Sequence, residues 1–252
     1  MKSLRYLVPN GFTGISMLFG LASVVCSGSG QFELAAWMIL WGVLLDKLDG
    51  ASARLLNASS GFGVQFDSFA DFVVFGIAPA ALFFFRLRSL EPFAEGAGYI
   101  FLLVVTGAYV IATSARLARF NISEPPGSHV FFFGIPTTLV GAFLASGFLT
   151  MVRYEVPETW LHYAPALMFL SAVSMVTNIR LPKLKARKNP AVHWFQIINL
   201  AIVYVVTPFR LWPEYLLILA FLYLVIGLAW GLFNPVSSLD GPDADSDVKV
   251  AA

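Results

Sequence analysis

Charge and cysteine are scarce in this sequence. Only 12% of its 252 residues are Asp, Glu, Lys or Arg, about half the share that an ordinary water-soluble domain carries. A formal net charge of +1 supplies no basic field of the kind that draws nucleic acid. The single cysteine, Cys26, lies within an apolar run, which excludes an internal disulfide and leaves a small packing residue. His129, His162 and His193 are scattered in or near loops without pairing and read as interfacial. Neither a soluble domain nor a clear repeat is found.

What is abundant is apolar side chain. With 58% hydrophobic residues and a mean hydropathy of +0.76, the chain has more than a water-soluble core of this size could hide, so it belongs in a bilayer. A window of about 19 residues gives roughly eight stretches, 11–27, 32–49, 67–86, 98–118, 131–151, 160–179, 194–209 and 214–233. Several are short for a crossing, and the expected fold is an all-α integral membrane protein, a polytopic bundle of six to eight transmembrane helices. Lys2 and Arg5 ahead of the first apolar run resemble a secretory signal. Cys26-Ser27-Gly28-Ser29-Gly30 is a poor A-x-A cleavage site, however, and more spans follow, so this span is read as retained.

Residues 1–10 suit a short interfacial helix, with Pro9-Asn10 turning the chain into the membrane domain, 11–235. Residues 236–252, with Asp240, Asp243, Asp245 and Asp247 among Ser, Gly and Pro, are too polar to pack and are expected to be disordered. Assigned to alternate loops, the sixteen basic residues divide unevenly. Lys2, Arg5, Lys47, Arg54, Arg116, Arg119, Arg180, Lys183, Lys185, Arg187, Lys188 and Lys249 fall on one side, and Arg86, Arg88, Arg153 and Arg210 on the other. The positive-inside rule then places both termini in the cytoplasm, and the run from Arg180 to Lys188 against anionic lipid headgroups. Phe83-Phe84-Phe85 and Phe131-Phe132-Phe133 are expected to face lipid or neighbouring helices.

Four carboxylates interrupt this apolar background. Asp46 and Asp49 are three apart and Asp67 and Asp71 four apart, so each pair shares one face of its helix. Asp46 and Asp49 close the second span and Asp67 and Asp71 open the third, so a connecting loop with Gly61 and Gly63 brings all four to one membrane face. Each costs about 2.5–3.5 kcal/mol at membrane depth, and Lys47 and Arg54 are too few to neutralise them. Divalent cations supply the missing charge. An all-oxygen set suits Mg²⁺ or Mn²⁺, whereas structural zinc would want Cys or His. Gly50 and Ala53, one turn apart, allow close approach, Gly63 can expose backbone N–H groups to a phosphate, and Arg54 can hold a phosphate oxygen. A diphosphate between two metals is the natural occupant of such a site.

The full pattern, D-x2-D-G-x2-A-R-x8-G-x3-D-x3-D from Asp46 to Asp71, resembles the signature of the CDP-alcohol phosphatidyltransferase family, with every specified position filled. Pro9-Asn10-Gly11-Phe12-Thr13 resembles the P-N-x-x-T start of the family's first helix, and Ala115-Arg116-Leu117-Ala118-Arg119-Phe120-Asn121 resembles a segment of its phosphatidylserine synthase branch. That resemblance implies that Asp46, Asp49, Asp67 and Asp71 bind two divalent cations, with Asp71 also the base. It implies that Asn10, Thr13, Gly50, Arg54 and Ser60 contact the CDP part of CDP-diacylglycerol. L-serine is the acceptor it implies, CMP the leaving group, and a homodimer in a bacterial inner membrane the expected assembly. Arg116 or Arg119 could pair bidentately with the serine carboxylate, with Asn121 a further candidate. Where serine-using relatives show G-L-P-x-P, this chain has Gly134-Ile135-Pro136-Thr137-Thr138.

Overall fold

In a computed structural model of the chain, which describes residues 4–122, 131–183 and 190–233, most of the described residues lie in eight helices. They are α1 (Leu4–Gly28), α2 (Phe32–Leu55), α3 (Gly61–Leu87), α4 (Gly96–Ile122), α5 (Thr137–Arg153), α6 (Glu158–Val176), α7 (Pro190–Val206) and α8 (Pro213–Phe233). Each of the eight apolar stretches of the sequence falls on one of them. α1, α3, α4, α6 and α8 have the length and hydropathy of a membrane crossing, while α5 and α7 are shorter apolar helices. α2 is 24 residues long, with Glu33 in its first turn and its other charges, Asp46, Lys47, Asp49 and Arg54, toward its C-terminal end. Large apolar side chains such as Leu18, Ile111 and Ile226 point outward, more than half exposed, which is the surface expected where the solvent is hydrocarbon.

α1 and α2 form an antiparallel hairpin closed by Gly30, whose φ of 78° is open to a residue without a Cβ. Hydroxyls stitch the pair where helix meets helix: Ser23 Oγ donates to the Ala35 carbonyl at 2.8 Å and Ser16 Oγ to that of Gly42 at 3.2 Å. α3 packs across both helices, α5 lies on α2 and α8, and α4 pairs with α6. Trp37, Phe75, Leu82, Leu102, Tyr109, Leu144 and Met168 fill the interior between them.

Local rules and global packing disagree with the sequence expectation in several places. No turn occurs at Pro9-Asn10: α1 runs from Leu4 through Pro9 without a break, so the described part of the interfacial segment and the first span are one helix. Proline forfeits a single backbone bond near a helix start, and twenty-four other residues sustain this helix. Gly61 and Gly63 lie in the first turn of α3 and not in a loop, because Ser60 caps the helix, its Oγ accepting the Gly63 N–H at 3.0 Å. Phe131–Phe133 is a short strand paired antiparallel with Arg180–Pro182, and the fifth span starts only at Thr137. Pro136 and Gly134, with φ of 79°, stop helix from extending back. The tail from residue 236, His129, Lys2, Lys185, Arg187, Lys188 and Lys249 lie outside the described residues.

Halfway along α3 the α-helix opens into a π turn over Phe72–Ile77, with the Ala78 N–H reaching the Val73 carbonyl, and then resumes. Pro79 follows directly and has no N–H to return to Phe75. Four neighbours close on this wide turn where small residues permit. A Cβ on Gly42 would lie 2.4 Å from Val74, one on Gly141 2.8 Å from Phe75, one on Gly20 3.0 Å from Val74, and one on Gly76 3.0 Å from Thr113.

Candidate active site

The C-terminal end of α2 and the N-terminal half of α3 meet beside the start of α1. Asp46 and Asp49 come from α2 and Asp67 from α3, and one carboxylate oxygen of each lies within 4.8 Å of the others, the tightest acidic group among the described residues. Asp49 is buried. Thr13 Oγ1 lies 2.9 Å from its Oδ2 and 3.1 Å from the Pro9 carbonyl, so one hydroxyl hydrogen serves two acceptors. Lys47 Nζ sits 3.3 Å from Asp46 with its side chain 59% exposed, a pair that water screens. Three carboxylates therefore converge with one screened ammonium beside them. Like charges about 4 Å apart repel by about 4 kcal/mol at an effective dielectric constant near 20. Oxygens at this separation need only a small inward movement to ligate one octahedral cation, and the donor set is wholly oxygen, so the residues fit Mg²⁺ or Mn²⁺.

Asp71, one turn beyond Asp67, stands just outside this triad, with Asp46, Asp67 and Arg116 as its charged neighbours. Arg116 is 7% exposed and comes from α4. Its Nη1 donates to Thr137 Oγ1 at 3.3 Å, and its guanidinium lies 5.5 Å from the centre of the Phe120 ring. Asp71 and Asp46 are the acidic neighbours of this buried guanidinium. Thr137 was not singled out as a site residue by the sequence; its place at the buried N-terminus of α5, directly after Pro136, is the signal that marks it.

The nucleotide candidates form a second group. An added Cβ on Gly50 would be 3.6 Å from Arg54 Nη1, so the exposed Arg54 folds back over Gly50. An added Cβ on Gly63 would be 3.2 Å from Ser60 Oγ and 3.4 Å from Asn10 Oδ1, which places Asn10, Ser60 and Gly63 together. Ala53 is half-buried on the same helix end. The Gly63 N–H, expected to be open to a phosphate, is instead taken by the Ser60 cap. The Ser60 hydroxyl keeps its own hydrogen to donate.

Spacing pairs Arg116 and Arg119 as acceptor ligands, but the structure separates them. Arg119 Nη1 donates to the Val176 carbonyl at 2.8 Å and Asn178 Oδ1 at 3.4 Å, and its Nη2 to the carbonyls of Phe133, Thr177 and Met175 at 3.1, 3.2 and 3.4 Å. That guanidinium closes the C-terminal end of α6 onto the Phe131–Phe133 strand, which leaves it no free fork for a carboxylate. Asn121 Nδ2 donates to Ser68 Oγ at 2.8 Å and lies 3.5 Å from Gln65 Oε1, tying α4 to the residues on either side of Asp67. Of the histidines, His162 donates from Nε2 to the Glu91 carbonyl at 2.7 Å, far along the sequence from the acids.

A helical bundle with apolar helices long enough to cross a membrane, and with a carboxylate triad that could hold a metal ion gathered at the ends of α2 and α3, defines an integral membrane protein. Residues 6–176 match the family described as CDP-alcohol phosphatidyltransferase, and the chain belongs to that family. It is 35% identical over 237 residues to the CDP-diacylglycerol–serine O-phosphatidyltransferase of Helicobacter pylori strain 26695, covering 90% of this chain and 92% of that protein. The enzyme of the same name from Mycobacterium bovis is 30% identical over 192 residues, 73% of this chain and 64% of that one. An archaetidylserine synthase of Methanothermobacter thermautotrophicus is 25% identical over 169 residues, 66% of this chain and 68% of that protein.

Proposed function

We propose that this chain transfers the phosphatidyl group of CDP-diacylglycerol to L-serine, forming phosphatidylserine and releasing CMP. The observation that carries the reading is the convergence of Asp46, Asp49 and Asp67 beside Asp71 and the buried Arg116. Asp46, Asp49, Asp67 and Asp71 would hold two divalent cations, Mg²⁺ or Mn²⁺. When bound, these neutralise the diphosphate and its departing charge.

The chain's own groups do the rest. Arg54 and the Asn10–Ser60–Gly63 group, with Thr13, Gly50 and Ala53, hold the CDP end. Arg116 pairs with the serine carboxylate through N–H groups that Thr137 does not use. The serine hydroxyl oxygen forms a bond to the lipid-side phosphorus as the bond from that phosphorus to the oxygen of CMP breaks, and its proton passes to Asp71. Aligning these groups at one bundle end, away from bulk water, supplies the proximity term. Arg119 holds the pocket wall instead of the substrate, and Asn121 fixes α3. The enzyme is placed in a bacterial inner membrane as a homodimer, with the acidic end toward the cytoplasm and its basic loops against anionic lipid.

The test is CMP release by the purified enzyme with CDP-diacylglycerol and Mn²⁺ or Mg²⁺, with serine, glycerol 3-phosphate, inositol phosphate or choline in separate reactions. Serine alone is expected to give CMP and an amino-phospholipid. Release with another acceptor and not with serine would refute the Arg116 assignment.

A further inference from the structure

Asp67 and Asp71 precede the π turn of α3, and the apolar anchors of the same helix follow it. A residue added to one turn rotates everything beyond it by about 100° relative to an uninterrupted α-helix. The wide turn therefore sets how the carboxylate half of α3 is aimed when Val74 and Phe75 are locked into the core. Phe75 is fully buried, and its carbonyl would ordinarily receive the N–H of residue 79, which is Pro79. The donor comes from outside the helix: Tyr109 Oη, on α4 and 0% exposed, donates to the Phe75 carbonyl at 2.8 Å.

Tyr109 belongs to a face of α4 that follows α3 step by step. Thr113, four residues on, reaches over Gly76, where an added Cβ would be only 3.0 Å away. Arg116, three further, is the cation beside Asp71. One helix face thus grips the wide turn and at its end meets the acid that the turn aims. An unpaired carbonyl in a buried, water-free site costs about 1–3 kcal/mol, enough to favour closing the turn to a different register once its donor is lost.

We infer that Tyr109 is a positioning residue for phosphatidyl transfer: its hydroxyl, through the Phe75 carbonyl, holds the π turn that directs Asp67 and Asp71 toward Asp46. The inference rests on the proposed function and touches neither substrate directly.

Tyr109→Phe keeps the ring and removes the hydrogen bond. In the detergent-solubilised full chain, binding of Mn²⁺, followed by electron paramagnetic resonance of the free ion, is expected to weaken about 10-fold, with kcat falling by a similar factor. The KM for serine should stay within about twofold, a split that general loosening of the fold would not produce. Should Tyr109→Phe not yield folded protein, Tyr109→Phe/Pro79→Ala restores an N–H for the carbonyl and lets the turn close. That chain should fold yet bind Mn²⁺ just as weakly. Native Mn²⁺ affinity in whichever of the two variants folds overturns the inference. A wild-type enzyme that binds Mn²⁺ but releases no CMP with any acceptor overturns the functional reading instead.

Discussion

At the residue scale, Asp71 and Asp49 have the same side chain and different surroundings. Asp49 is tied to Thr13 and belongs to the triad, whereas Asp71 stands outside it, next to Arg116. Set between Asp46, Asp67 and the Arg116 guanidinium, Asp71 is the carboxylate proposed to take the proton of the incoming hydroxyl. Asp71→Asn is therefore expected to lower kcat at least about 100-fold while binding of CDP-diacylglycerol changes little, measured as turnover against lipid KM. The acids themselves were legible from spacing alone, since intervals of three and four on helices leave few arrangements. Arg119 was not, because its partners are main-chain carbonyls of Phe133, Met175, Val176 and Thr177, and a carbonyl has no signature in a sequence.

At the scale of elements, hydropathy located all eight helices because each is built on an apolar run, in five of them long enough for a membrane crossing. It missed the Phe131–Phe133 strand, whose partner lies some fifty residues away and whose composition suits a span equally well. It also missed the π turn, which Pro79 hints at but only the surrounding glycines and Tyr109 explain. The strand's junction with α5 makes its own prediction. Gly134 has φ of 79°, and a Cβ there would lie 2.2 Å from the Met175 carbonyl oxygen and 2.9 Å from Arg119 Nη2. Gly134→Ala should destabilise the protein by about 1–3 kcal/mol, seen as a lowered midpoint of thermal unfolding in detergent. A midpoint equal to wild type would show that this junction yields freely.

For the whole molecule, the acidic site lies at one end of the bundle and the α1–α2 turn and the Leu87–Gly96 connection at the other. The uneven division of basic residues orients that axis. In a chain with Cys26→Ala, a membrane-impermeant maleimide should label Ser59→Cys in inside-out vesicles and not in intact cells, and Glu95→Cys the reverse. The opposite pattern would turn the site to the outer face. Oligomeric state stayed beyond the reach of sequence, since a lipid-facing helix and a helix facing a second copy present the same apolar residues.

The Arg119 carbonyl cluster bears on how this protein is made. The signature carboxylates all lie within the first seventy-one residues, so their end of the bundle can assemble once three helices have been inserted. Arg119 then emerges with all five of its acceptors, Phe133, Met175, Val176, Thr177 and Asn178, still unsynthesised. Until the ribosome has passed them, α4 carries a guanidinium at the membrane boundary with little to answer its charge. Completion of α6 removes that liability and locks the acceptor wall in place, so a half-made chain holds the acids of its site before it holds the wall beside them.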